Sequence, residues 1–115
     1  MEGPRAPKVT EFSELLKFLD QNLRQQPGWS VADEYPTALN VGNLQNLRII
    51  KEQDKILSHA LVKTQIVKTR RGLFKVGCIG SVVTHDSSRN QGLSSQVIQE
   101  CLKNVTAQGC EIAVL

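Results

Sequence analysis

Aromatic side chains make up only 4% of this 115-residue chain, so a core here must be built from Leu, Ile and Val. Hydrophobic residues are 40% of the total, enough for one small domain or part of one. No apolar run approaches the roughly 18 residues of a membrane-spanning helix. The opening MEGPRAPKV lacks the apolar segment of a signal peptide. Cysteine is scarce and odd in number: Cys78, Cys101 and Cys110, with no C-x-x-C pair. That pattern reads as reduced thiols rather than a disulfide framework, and the cytoplasm is the simplest location. His59 and His85 stand at no ligand spacing from the cysteines, so no metal is expected. A dense basic face is also missing. The net charge is +3 and Arg70–Arg71 is the one arginine pair, which argues against nucleic acid and leaves an anionic small molecule open. Neither G-x-x-x-x-G-K-[ST] nor G-x-G-x-x-G occurs, which disfavours a P-loop or a dinucleotide-binding turn.

What is present falls into two parts. Residues 1–46 read as a helical N-terminal part and 47–115 as a sheet with one further helix. Residues 1–9, with two prolines, read as a loose start. Thr10 is placed to cap a helix, with Glu11 and Glu14 near its positive end. Phe12, Leu15, Leu16, Leu19 and Leu23 then recur at helical spacing until Pro27 and Gly28. SVADEYPTALNVGNLQN carries a weak signal for a short helix ending near Gly42. LRIIKEQ, KILSHALVKTQIVKT and LFKVGCIGSVVT read as three strands joined by short turns, an antiparallel meander. Gly77 and Gly80 interrupt the last of them. They call for a bulge, tight packing or close approach of a ligand.

Leu93, Val97, Ile98, Cys101, Leu102 and Val105 form one face of a helix that Gly109 ends. Cys101 on that face reads as core rather than nucleophile. CEIAVL follows as a buried strand. Strand, helix and strand make a βαβ crossover, which favours a parallel pair. The predicted class is α/β (α+β), a mixed sheet in which the meander precedes the crossover. Ending on an apolar strand suggests that a partner covers it or that the chain is the N-terminal part of a longer protein; the second is favoured. A homodimer or another chain pairing with that strand fits the first case.

The start of the second helix carries no negative charge. Asn90, Gln91, Ser94 and Ser95 surround Gly92, Arg89 adds a cation, and the first acid is Glu100. The leading amides of a helix lack internal partners and their dipole favours an anion. Glycine lets a ligand approach the backbone. An anion site, most simply for phosphate, is one reading. Capping of the helix by Asp86, Ser87 or Ser88 is the other, and the residues do not decide between them.

RNQGLS (Arg89 to Ser94), set between IGSVVTH and an amphipathic helix, resembles the Q/R-x-x-G-x-G/A pyrophosphate loop of the GNAT N-acetyltransferase superfamily. The resemblance covers residues 47–115 well and the first helix loosely. Ser94 stands where Gly or Ala is usual, Asn90 where Gly is common, and Asp86 where Pro is common.

The resemblance implies that amides of Arg89, Asn90, Gln91, Gly92, Leu93, Ser94 and Ser95 hold a pyrophosphate. It implies that Val82, Val83 and Thr84 pair with pantetheine like an added strand. Acetyl-CoA is the implied acyl donor, without a metal, and an amine the acceptor that attacks the thioester directly. Amides of Val82–Thr84 would favour charge on the thioester oxygen. The tyrosine that serves as general acid in many relatives follows the fifth strand, beyond this sequence. Tyr35 cannot be equated with it. His85 reads as a polar turn residue before a base, and HDSS (His85 to Ser88) is too contiguous to form a hydrolase triad. A CoA-binding module without catalysis and a pure interaction unit are the alternative readings.

Overall fold

A computed structural model describes residues 1–23, 28 and 30–115. The breaker at Pro27 lies outside the described residues. Among the described residues five strands form one mixed sheet in the order β1-β2-β3-β4-β5. They are β1 (Glu2–Arg5), β2 (Leu47–Glu52), β3 (Lys55–Thr69), β4 (Gly72–Thr84) and β5 (Ile112–Val114). All neighbours are antiparallel except β4 and β5, which run parallel. The helices are α1 (Phe12–Leu23), the short α2 (Val31–Glu34) and α3 (Leu93–Ala107). Among the described residues no helix is long and apolar enough to cross a membrane.

The sheet separates two cores, as period-2 alternation along buried strands requires. Leu15, Phe18 and Leu19 of α1 and Val31 of α2 pack on Leu47, Ile49, Ile56, Leu61 and Val83. On the other face Leu93, Val97, Cys101 and Val105 of α3 pack on Ile50, Leu57, Ala60, Val62 and Ile79. Each fully buried aliphatic side chain contributes roughly 1.5–3 kcal/mol. Of the predicted α3 stripe, Ile98 is half-buried and Leu102 exposed.

The N-terminus is not loose. Glu11, nearly buried, accepts from Arg5 Nη1 (2.8 Å), Lys51 Nζ (3.0 Å) and the Lys8 amide (2.8 Å). One carboxylate thus ties β1 to β2 and to the start of α1. It also replaces Thr10 as the capping group. Glu11 reaches back three residues to Lys8, and α1 proper starts only at Phe12 after a 3-10 turn over Val9–Glu11.

In the 30–46 segment the expected helix ending near Gly42 does not form. α2 covers four residues, and Asp20 of α1 accepts from the Val31 amide at its start (2.8 Å). Gly42 lies inside a separate 3-10 stretch, Val41–Asn46. At the far end of that stretch Asn46 Oδ1 accepts from Asn104 Nδ2 (3.1 Å) and Gln108 Nε2 (2.8 Å), fastening the C-terminal half of α3.

Gly109 ends α3 with φ +75°, donating to Thr106 O (3.0 Å) while Cys110 donates to Val105 O (3.2 Å). Lys75 Nζ donates to the Gln108 carbonyl (2.6 Å) at the negative end of the helix. β5 forms as expected but is not buried: Ile112 is 47% and Val114 44% exposed. α3 packs over β2, β3 and β4 and leaves this edge strand uncovered.

Candidate functional site at the β4 bulge and the start of α3

β4 pairs regularly with β3 from Gly72 to Gly80 and then slips. Leu61 faces Gly80 and His59 faces Val83, so Ala60 alone opposes both Ser81 and Val82. One extra residue on β4 makes a bulge. Ser81 absorbs it with φ +49°, a left-handed conformation that a non-glycine residue adopts at a cost of about 1–3 kcal/mol. His59 Nδ1 lies 2.9 Å from the Ser81 carbonyl. A carbonyl can only accept, so the imidazole carries its proton on Nδ1. The ring is fully buried, and its pKa is pushed down to about 4 by that burial, against the opposing pull of the Ser81 bond. Nε2 meets no hydrogen-bond partner among the described residues.

The two glycines of β4 have different roles. A Cβ on Gly77 would lie 2.6 Å from Val105 Cγ2, so this position is tight helix packing. A Cβ on Gly80 would meet nothing within 4 Å.

β5 pairs with β4 only at Val76, Gly77 and Cys78. Beyond Cys78 the outer edge of β4 has no strand partner among the described residues. A cavity of about 520 Å³ opens there. Val82, Val83 and Thr84 line one wall, and Ser88, Arg89, Asn90, Gly92, Leu93 and Ser94 another. Asn22 and Leu23, at the end of α1, complete it. Of the sequence-derived site residues, Gln91 and Ser95 do not line this cavity. Ser88, Asn22 and Leu23 were missed. The α1 pair carries no local signal, since Leu23 also fits the apolar stripe of α1 and only the fold brings it to the loop.

The start of α3 is uncapped by any side chain. Asp86–Ser88 form their own 3-10 turn, whose start His85 caps by accepting from the Ser87 amide (3.2 Å). Asn90 (φ +66°) and Gly92 (φ +76°) then redirect the backbone before Leu93 opens the helix. The choice left open by the residues is therefore decided against capping by Asp86, Ser87 or Ser88. Asp86 pairs instead with Arg89 at 2.9 Å, both exposed. A Cβ on Gly92 would have nothing within 4 Å, so the space beside its backbone is free for a ligand. His85 does not line this cavity.

A second cavity of about 390 Å³ also borders the bulge, lined by Cys78, Ile79, Gly80 and Ser81 of β4. Leu61, Lys63 and Gln65 of β3 and residues 34–38, including Tyr35, close it. The consecutive residues Ser81 and Val82 thus face different cavities.

A family model described as an acetyltransferase (GNAT) domain matches residues 4–115. The chain belongs to the GNAT acetyltransferase family. Solved structures share this GNAT fold. An acetyltransferase from Trypanosoma brucei superposes with a TM-score of 0.70 at 24% identity, covering 96% of this chain and 80% of that one. A predicted acetyltransferase with acetyl-CoA from Clostridium acetobutylicum gives 0.71 at 17% identity, covering 95% and 77%. Glucosamine-6-phosphate N-acetyltransferase from Arabidopsis thaliana gives 0.68 at 19% identity, covering 96% and 79%. A search of curated proteins finds no match. Among the described residues no group of three or more His, Cys, Asp or Glu side chains is placed to hold a metal ion.

Proposed function

We propose that this GNAT chain is an acyl-CoA-dependent N-acyltransferase, with acetyl-CoA as donor and an amine as acceptor, working in the cytoplasm. The observation that carries the reading is the 520 Å³ cavity between the open edge of β4 and the uncapped start of α3. The two walls suit the two halves of the donor. Backbone groups of Val82–Thr84 can pair with the amides of pantetheine, and the amides from Arg89 to Ser95 can bind its pyrophosphate. Asp86 does not oppose this, because Arg89 neutralises it.

The acceptor amine enters through the second cavity and meets the thioester near the Ser81–Val82 boundary. There its nitrogen bonds the acyl carbon, the carbon–sulfur bond breaks, and the thiolate leaves with the CoA. The chain orients the two reactants and offers backbone N–H groups to the oxygen that gains charge. The amine nitrogen loses a proton to solvent in the same process and the departing thiolate takes one up, so the products are an amide and the free thiol of CoA.

Calorimetry with CoA and acetyl-CoA tests the reading. Binding of both, followed by acetyl-CoA consumption with a panel of amines, is the expected result. Binding without turnover would make the chain a CoA-binding module. No binding by a folded sample would sink the proposal.

A further inference from the structure

We propose that His59 is a positioning residue for the acyl group: by holding the Ser81 carbonyl it aims the Val82 N–H, part of the same peptide plane, into the donor cavity. The proposal rests on the acyl-CoA reading above. Its physical basis is the rigidity of the peptide unit. In a trans peptide the carbonyl of one residue and the N–H of the next point in opposite directions. The only cis peptide bond among the described residues is Gly3–Pro4. With the Ser81 carbonyl bound to His59 Nδ1 at 2.9 Å, the Val82 N–H is turned away from His59. Val82 lines the donor cavity. That N–H is therefore placed to meet a thioester carbonyl lying along the Val82 wall of the cavity.

Packing alone does not account for a histidine here. Its register partners on the same face, Ile49 and Val83, are aliphatic, and both belong to the core beneath α1. Histidine leaves Nε2 buried and without a partner among the described residues, a penalty an Ile or Leu would not carry. The group it does satisfy sits at the left-handed residue of the bulge, the conformation that most needs external support.

Three measurements test this on the full chain. The first needs no variant. Long-range imidazole 15N–1H spectra must show the Nδ1–H tautomer for His59. An Nε2–H tautomer would remove the hydrogen bond and the proposal with it.

The second uses His59→Leu and compares acetyl-CoA with CoA by calorimetry. Loss of one aligned donor should weaken acetyl-CoA about three- to tenfold. CoA, which lacks the acyl oxygen, should change less than about twofold, and the Val82 amide resonance should shift in the ligand-free protein. Equal effects on both ligands, or no effect on either, would overturn the idea.

The third uses His59→Asn, whose Nδ2 can reach where Nδ1 stood, and His59→Gln, whose amide reaches past it. Asn should keep acetyl-CoA affinity within about twofold and Gln should not. If the two behave alike, the hydrogen bond is not what matters, and this pair carries the comparison if the Leu variant does not fold. If the wild-type chain binds neither ligand, the acyl-CoA reading fails, while the tautomer and the Val82 resonance still report whether His59 holds the bulge.

Discussion

Gly77 of β4 and Val105 of α3 meet so closely that a Cβ on the glycine would stand 2.6 Å from one Val105 methyl and 2.8 Å from the other. Valine is branched at Cβ and cannot swing its methyls away freely. Gly77→Ala should therefore destabilise the fold by about 1–3 kcal/mol. Adding Val105→Ala should recover part of that loss, because the two sites share one contact. Urea titrations of the single and double variants measure this. Additive losses would show that the helix moves aside without strain.

Gly92 offers the opposite situation, open space at positive φ. Gly92→Asn keeps a residue that tolerates this conformation, so the fold should lose less than about 1 kcal/mol. Gly92→Glu places a carboxylate at the proposed anion site and should abolish the thermal protection expected from CoA. Parallel melting curves with and without CoA decide it. A full CoA shift in the Glu variant would move the anion site elsewhere.

Acid should lower the stability of the fold over two separable pH ranges. His59 has an ordinary value of 6.5 and a folded value of about 4, so the unfolded chain binds the extra proton between those limits. Stability from keeping His59 neutral is complete above pH 6.5 and lost as pH falls toward 4. The loss is on the order of 3 kcal/mol. Glu11 acts lower. Arg5 first, then the Lys8 amide and Lys51, hold its carboxyl far below its ordinary 4.5, against the effect of burial. Its contribution is full above 4.5 and declines as pH drops below that value. Urea midpoints from pH 7 to 3 should show both limbs, and His59→Leu should flatten only the upper one.

The thiols should differ in reactivity. Burial pushes the Cys101 pKa up to about 11, and the residue is fully enclosed, whereas Cys78 and Cys110 are half-buried. Thiolate is the reactive species. Brief iodoacetamide treatment of native protein, read by peptide mass spectrometry, should label Cys78 and Cys110 and leave Cys101 unmodified. Labelling of Cys101 at a matching rate would mean that α3 opens readily.

The elements legible in the sequence are those with local periodicity. The three long strands announce themselves through their β-branched residues, and α3 through Leu93, Val97, Cys101 and Val105. β1 does not, because EGPR has no strand character; it is held by Arg5 and Lys51 on Glu11, the latter 40 residues away. α2 was obscure for the same reason, since its cap is Asp20 on another helix. β5 misled in the other direction: apolar composition suggested burial, but whether anything packs over a strand is decided elsewhere in the chain. The loop of the site was readable because Arg89, Gly92 and the missing acids lie within a few residues. The bulge was readable only in part: Gly80 called for one among other causes, but the slip itself falls on the next two residues, Ser81 and Val82, which carry no mark of it. His59 looked like an isolated histidine until its partner was in view.

The left-handed kink at Ser81 has a consequence for solubility as well. An open strand edge is a template on which another chain can add itself, and long flat edges invite that most. Beyond Cys78 the outer edge of β4 has no strand partner among the described residues, yet it is not flat, because the bulge interrupts its regular spacing within three residues. A foreign strand arriving there cannot keep register across Ser81 and Val82. The irregularity beside the proposed donor cavity is thus also a barrier to aggregation, and a variant that straightened β4 would lose it.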